Sequence, residues 1–389
     1  TLSSSSAASD VYKRQVLALF APPIYISSFT LRPEFLLGSL IMAFLLVGYR
    51  KSLVKIVFLD SANVWMMALT VSFLLSSLHA VFFLGASFAP RDLTEFVRVG
   101  YYFLLFTISF KVSSRSRLSF NLKVLLFGII AVIFFSLLQY VNLVNINRWL
   151  TPIYTTPDQM LILNSPIHRV VGTFGNSNLF GFVLACAGAI LASYIILGKI
   201  EIRTKLILIT CLVLVILGLV LTFSRTAVAL GFVGILLSFF IGFSAERGSR
   251  KKLLALFAGF SVIIAISLVF APQGFFLRIK DAINLRQDLS YIDRLKMWKD
   301  AWQYIETSFV FGWGPAKQTM VTFLDNEYIL VLRRYGLVGL VCYLGMFLSP
   351  LRHFLNGKWR KSEYYPLAVG FSVSILLAMA FGITAGMFY

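Results

Sequence analysis

Long apolar runs separated by short polar gaps dominate this chain. Eleven such segments can be drawn, at roughly 16–30, 35–49, 64–84, 96–110, 122–144, 177–197, 205–222, 226–243, 253–271, 325–348 and 365–388. Runs of about 20 apolar residues, wound as helix, match the ~30 Å hydrocarbon core of a bilayer. A helix also satisfies its own backbone polar groups, which lipid demands. The short alternating segments of a membrane barrel are absent from the sequence. The third, fifth, ninth and last runs are the clearest, while the first two are short and Pro22-Pro23 interrupts the first. The pattern predicts an all-α integral membrane protein, a polytopic bundle of about eleven transmembrane helices. Nine of these fall within 16–271 and two within 325–389, with a large extracytoplasmic loop at 272–324 between the ninth and tenth.

Within that loop, residues 291–305 read as an amphipathic helix, because Leu295, Trp298, Trp302 and Ile305 recur at helical spacing on one face. Such a helix either lies at the membrane surface with its tryptophans in the interface or packs on the tops of the spans. Gly312-Trp313-Gly314-Pro315 then breaks the chain direction.

Charge in the gaps orients the bundle. Arg50, Lys51 and Lys55 follow the second segment, and Lys111, Arg115, Arg117 and Lys123 follow the fourth. Lys199, Arg203 and Lys205 follow the sixth, Arg247, Arg250, Lys251 and Lys252 the eighth, and Arg352, Lys358, Arg360 and Lys361 the tenth. The odd-numbered gaps are poorer in Lys and Arg for their length, and in 272–324 acidic residues offset the basic ones. By the positive-inside rule the even gaps are cytoplasmic and the odd gaps face outward. The two ends stand apart. Residues 1–15 are polar, resemble translated adapter sequence more than a signal peptide, and are set aside from the fold. The other end, at Tyr389, stops within an apolar run, as it would if a final helix were missing.

Composition narrows the classes. Hydrophobic residues make up 59% of the chain and charged residues 13%, against about 25% charged in soluble domains, so a water-soluble surface is excluded. The net charge of +19 would suggest nucleic acid in a soluble protein. Here no zinc finger, helix-turn-helix or RNA-binding motif accompanies it, and loop anchoring accounts for it. Cys186, Cys211 and Cys342 all sit in apolar runs, without metal-ligand spacing or a disulfide framework. The reading therefore has no metal and no cofactor.

Charged groups inside spans are costly and hence informative. Arg98 lies near the outer end of its segment and Arg333 and Arg334 lie inside the tenth, while no Asp or Glu sits at mid-membrane in a clear span. That argues against an ion-coupled transporter. The outer face gathers arginines beside unusual backbone. His168 and Arg169 precede GTFGNSN at 172–178, where the glycines permit a tight turn and Asn176 to Asn178 can cap the sixth segment. Backbone N–H groups at such a start favour anions, although an ordinary capped helix start reads equally well. Ser224-Arg225-Thr226 is a short outer turn holding a lone arginine, which is suited to a bidentate phosphate contact or simply solvated. Asp325-Asn326-Glu327-Tyr328 opens the tenth segment, with Asp325 either a helix cap or a general base. Residues 169, 225 and 325 are far apart in sequence, yet the topology puts them at one face. Arginines around a carboxylate there suit a lipid-linked pyrophosphate, the arginines neutralising the leaving diphosphate.

Four stretches in order resemble the O-antigen ligase and O-antigen polymerase superfamily: Arg169 with GTFGNSN at 172–178, TFSRTA at 222–227, DRLKMWKDAWQYIETSFVFGWGP at 293–315, and DNEYILVLRRYGLVGL at 325–340. The resemblance covers about 165–345. It implies a bundle of ten or more helices with a large periplasmic loop in the bacterial inner membrane. It also implies metal-independent, inverting glycosyl transfer from an undecaprenyl-pyrophosphate-linked oligosaccharide, in O-antigen, capsule or exopolysaccharide assembly. Family catalytic arginines map onto Arg169 and Arg225, and Arg294 falls at the loop motif's arginine. Substrate contacts are expected at Arg294, Asn326, Asn176 and His168. Ligases of the family commonly carry histidine before the asparagine of the fourth motif, whereas Asp325 stands there in this chain, as in the polymerases. Asp325 is thus the expected base and His168 a substitute for it. A chain-length regulator, a flippase and membrane lipid are the implied partners. Two other readings stay open: a ligase joining glycan to lipid A–core or another acceptor, and a transporter or flippase for lipid-linked sugar. A flippase should also line an inner cavity with cations, whereas these arginines are confined to the outer face.

Overall fold

The computed structural model describes residues 24–26, 29–31, 61–87, 115–164, 168–246, 289–317 and 324–384. It also describes positions 92, 95, 98–100, 102, 103, 276 and 320. The predicted spans at 35–49 and 253–271, most of 96–110, residues 1–15 and 272–275, and the chain end at 385–389 lie outside the described residues.

Two short strands, β1 (Ile24–Ile26) and β2 (Phe29–Leu31), pair antiparallel with Tyr25 opposite Thr30. At 24–26 and 29–31 these strands stand where the first predicted span, 16–30, was drawn as helix, and the rest of that span lies outside the described residues. Pro22-Pro23 withholds two N–H donors just before β1, and the β-branched and aromatic residues that follow suit a strand. The rest is helical. In chain order come α1 (Ser61–Phe83), α2 (Arg115–Val141), the one-turn α3 (Ile146–Trp149) and the short α4 (Pro157–Leu163). Then follow α5 (Ser177–Leu197), α6 (Ile202–Leu221), α7 (Arg225–Glu246), α8 (Leu289–Thr307), α9 (Glu327–Leu355) and α10 (Tyr365–Phe381).

Six helices among the described residues are long and apolar enough to cross a membrane: α1, the 122–141 part of α2, α5, α6, α7 and α9. At 17 residues, α10 is shorter but equally apolar. The protein is thus a multi-pass membrane protein built from helices.

One group packs α5 at its centre against α6, α7 and α10, with α2 against α6. In lipid, apolar burial gives little drive for helices to associate, so close packing of small residues and interhelical hydrogen bonds take over. The sequence of α5 provides both. Gly181 admits Ala227 and Thr222 so closely that a side chain there would overlap them. Ser193 donates to the Pro366 carbonyl at 2.7 Å, and Ser238 of α7 donates to the Ala189 carbonyl at 3.0 Å. The second group pairs α1 with α9 through Leu69, Phe73, Val331, Tyr335, Cys342 and Tyr343, with the Phe73 and Tyr335 rings stacked. The C-terminal end of α10 joins the two groups. Phe381 stacks on Phe182 of α5, while the Gly382 carbonyl accepts from the Glu327 N–H at 2.7 Å.

Helix α8 spans the predicted amphipathic segment, but its apolar stripe is divided. Ala301 and Ile305 are buried, and Met297 and Trp298 pack with Ala301 against Leu324, Ile329 and Leu330. Leu295 and Trp302 face outward. The contact surface is centred on position 301, one step around the helix from the predicted stripe.

Candidate functional site

Residues 168–178 form a turn that is itself pinned by a buried amide. Gln139 of α2 accepts the Gly172 N–H at 2.9 Å with its side-chain oxygen, and its NH₂ group donates to the Tyr154 hydroxyl at 2.7 Å. The turn then runs against the Tyr154 carbonyl at Gly175, whose φ of +67° and lack of a side chain permit the approach. Asn176 caps α5, its side-chain oxygen accepting from the N–H groups of Asn178 (2.9 Å) and Leu179 (3.2 Å). Asn176 is therefore engaged as a cap.

Arg169 is buried and bridges two of the sequence motifs. Its Nε donates to the Thr222 carbonyl at 3.1 Å and an Nη donates to the Asn178 side-chain oxygen at 2.9 Å. The neighbouring Val170 N–H meets the Leu221 carbonyl at 3.3 Å. Thr222 closes α6, so the guanidinium sits at the negative end of that helix dipole. Phe223 (φ +50°) reverses the chain, and Arg225 begins α7 immediately afterwards. The structure thus brings the Arg169 turn onto the turn that carries Arg225. His168 is exposed, with Nδ1 3.3 Å from the Leu163 carbonyl.

The third and fourth motifs meet directly. Arg294 of α8 donates from Nε to an oxygen of Asp325 at 2.9 Å, and both side chains are about a quarter exposed or less (24% and 22%). Asn326, not Asp325, caps α9. Its side-chain oxygen accepts the Ile329 N–H at 3.0 Å, and its NH₂ donates to the Ile383 carbonyl at 3.0 Å. Asp325 is left one residue outside the helix, oriented by Arg294. Both groups of candidate residues lie at the end of the bundle where α6 and α10 finish and α5, α7 and α9 begin, and the end of α10 stands between them.

A charged cluster that the motifs did not show lies beside this end. Glu95 is buried among Lys317 at 2.8 Å, Arg334 at 3.6 Å and Arg98 at 3.8 Å. The Lys317 N–H also meets the buried Asp92 at 3.1 Å. Burial pushes the Glu95 carboxyl up, but the Arg334, Arg98 and Lys317 charges outweigh it and hold it below the usual carboxylate range. The clue in the sequence was Arg333-Arg334 inside an apolar run; the buried acids that accompany them come from elsewhere in the chain.

What admits two arginines into α9 is a break in the helix. Gly336 has φ +62° and ψ −167°. The carbonyls of Arg333 and Arg334, freed by the break, accept from the N–H groups of Trp313 (3.0 Å) and Gly314 (2.7 Å). The Leu337 and Val338 N–H groups reach the carbonyls of Phe309 (2.8 Å) and Val310 (3.3 Å). Ser76 of α1 also donates to the Arg334 carbonyl and accepts from the Gly314 N–H. A broken span is tolerated in a membrane where protein re-satisfies the backbone in this way. The break also leaves Arg333 and Arg334 at the C-terminal end of a short helix, where cations are favoured. Gly312 and Gly336 face each other across the junction, and a side chain at either would overlap the opposite backbone.

Among the described residues, no three His, Cys, Asp or Glu side chains come together in a way that could hold a metal ion. A family model described as O-antigen ligase matches residues 210–344. No curated protein matches the chain. The matched stretch starts after Arg169 and its turn, and takes in Arg225, Arg294, Asp325 and the whole junction between 309–314 and the break in α9. Over residues 210–344 the chain is thus similar to the O-antigen ligase family, a likeness that supports the ligase and polymerase superfamily.

Proposed function

We propose that this protein is a polysaccharide polymerase of the bacterial inner membrane. In this reading it transfers a glycan from undecaprenyl pyrophosphate to an acceptor sugar on the periplasmic face. The observation that carries the reading is the Arg294–Asp325 pair, at the same end of the bundle as the Arg169 and Arg225 turns. The acceptor hydroxyl attacks the anomeric carbon from the face opposite the leaving group, which inverts that centre. Its proton passes to Asp325. The bond from the anomeric carbon to the diphosphate oxygen breaks, and the leaving undecaprenyl diphosphate keeps the electron pair. Arg225 neutralises that charge, as fixed guanidinium groups do in phosphate chemistry. Arg169, held by Thr222 and Asn178, supports the turn that presents Arg225. Arg294 orients Asp325, and no metal takes part.

Aspartate at 325 favours a polymerase over a ligase, whose counterparts commonly carry histidine there. A deletion strain decides between them. Single repeat units accumulating on carrier lipid support the polymerase, whereas full-length glycan accumulating there identifies a ligase. Repeat units trapped on the cytoplasmic face would identify a flippase instead.

A further inference from the structure

Helix α8 leaves one edge of its apolar stripe uncovered. Leu295 and Trp302, seven residues apart, lie along that edge, and Phe309 follows at the same step just past the helix end. All three are between 44% and 48% exposed, and Val310 and Phe311 continue the exposed apolar surface. Lys296, Asp300 and Gln303, on the other side of the helix, are exposed and polar. The edge is therefore the apolar half of an amphipathic helix that protein contacts cover only in part.

The tip that follows α8 does not sit on top of the bundle. The Phe309 carbonyl accepts the Leu337 N–H at 2.8 Å. Leu337 is bracketed by Tyr335, which stacks on Phe73 of α1, and by Gly339, which lies against Ser72. Phe309 is thus level with Phe73, about 15 Å along α1 from its last residue, Phe83. Helix α1 is long and apolar enough to cross a membrane. It exposes Leu74 and Leu75 at this level and Leu78, Phe82 and Phe83 beyond it. A contiguous apolar surface on a membrane helix faces hydrocarbon. Phe311 joins that surface, because His79 lies between it and Phe83, with ring centroids 5.4 Å from each.

Backbone outside a helix is tolerated at that depth only where protein satisfies it. Here the carbonyls of Phe309 and Val310 accept from α9. The N–H groups of Gly312, Trp313 and Gly314 reach the carbonyls of Ser308, Arg333 and Arg334. The polar groups of the tip turn inward and its large apolar side chains turn outward.

From this we infer that Phe309–Phe311 form a re-entrant tip embedded in the bilayer leaflet at the Asp325 end of the bundle. The partner of the uncovered edge is the acyl-chain region of that leaflet. Helix α8 slants into it, with Trp302 shallower than the tip and Leu295 shallower still. The segment between the ninth and tenth predicted spans is then in part a membrane element, and the helix that carries Arg294 is anchored in lipid at its far end.

The test places a nitroxide on single added cysteines in the full-length protein in nanodiscs. The parent, which keeps its own three cysteines, is labelled as background. Oxygen, which partitions into hydrocarbon, and a water-soluble nickel chelate each relax the label on contact. At Phe309→Cys and Val310→Cys oxygen access should exceed chelate access at least several-fold. The excess should be smaller at Trp302→Cys, and at Gln303→Cys the chelate should win. Two tip positions keep the result readable should one variant fail to fold. Chelate access at the tip as high as at Gln303→Cys overturns the proposal. So does a tip label shielded from both reagents, which would mark a protein neighbour such as a second copy. The readout needs no transfer reaction, so it stands or falls apart from the proposed glycosyl transfer.

Discussion

Asp325→Asn separates the chemical role of the carboxylate from its structural one. The substitution keeps the shape and an acceptor for Arg294 but removes the charge. The pair is short, at 2.9 Å, yet both partners are partly exposed. Pairs of this kind contribute only about 0.2–1 kcal/mol after solvent screening and side-chain ordering. Asn326, not Asp325, caps α9, so no helix end is lost. The expected change in stability is therefore at most about 1 kcal/mol, a shift of a few degrees in melting temperature at most. Loss of a general base costs about 10²–10⁴ in rate, or roughly 3–5 kcal/mol of barrier. Rate should collapse while the fold stays intact. The assay is chain extension by purified protein in nanodiscs with lipid-linked repeat units, read as a length ladder beside a thermal melt. Arg294→Gln should weaken transfer less, and the double variant should be no worse than Asp325→Asn alone, because Arg294 acts through Asp325. A transfer rate for Asp325→Asn within about threefold of the parent, with normal ladders, would remove Asp325 from the chemistry.

Four further outcomes follow from the structure. Arg225→Ala should abolish long-chain product with little loss of folded protein, whereas Arg169→Ala should lose both, since Arg169 is buried across two turns; equal melting temperatures for the two would contradict that division. Gln139→Leu strands the Gly172 N–H, costing about 1–3 kcal/mol for a buried group left unsatisfied, which a melting experiment should register. Gly336→Ala places a side chain at positive φ against the Val310 carbonyl, and detergent-extracted yield should fall sharply; normal yield and melting would mean the break is not fixed by that contact. Glu95, whose folded pKa is lowered, stabilises the fold fully above its unfolded value of about 4.3 and loses that contribution as pH falls through its folded value. Between neutral pH and pH 3 the parent should therefore lose melting temperature faster than Glu95→Gln.

The sequence shows most plainly what depends on local pattern. The span at 177–197 matches α5 to the residue, because an asparagine cap, an apolar run and a closing Gly198 are all local signals. The position of α8 was legible within two residues at each end, but its buried face was not, because tertiary contact chose Ala301 over Trp302. Arg294 and Asp325 were both visible as candidates, each in its own motif. Their pairing depends on how α8 folds back over α9, which no local pattern encodes. The Glu95 cluster was hidden for a different reason. Glu95 reads as one more loop acid until α9 breaks at Gly336 and turns Arg334 towards it. The paired strands at Ile24–Ile26 and Phe29–Leu31 show the reverse case, short apolar stretches whose strand propensity and preceding prolines outweighed their hydropathy.

The break in α9 has a mechanical consequence. The amides of Trp313, Gly314, Leu337 and Val338 belong to a clasp between two distant stretches of chain, and not to a helix ladder. The loop that forms one half of the clasp leads directly from α8, and Ser76 ties the same point to α1. Raising α8 from the bundle would pull on the clasp and so on the N-terminal third of a membrane span. In hydrogen exchange those four amides should open together, as one unit. Arg294 thus rides on the helix that leads into this clasp, and its partner Asp325 stands just before the span that the clasp breaks.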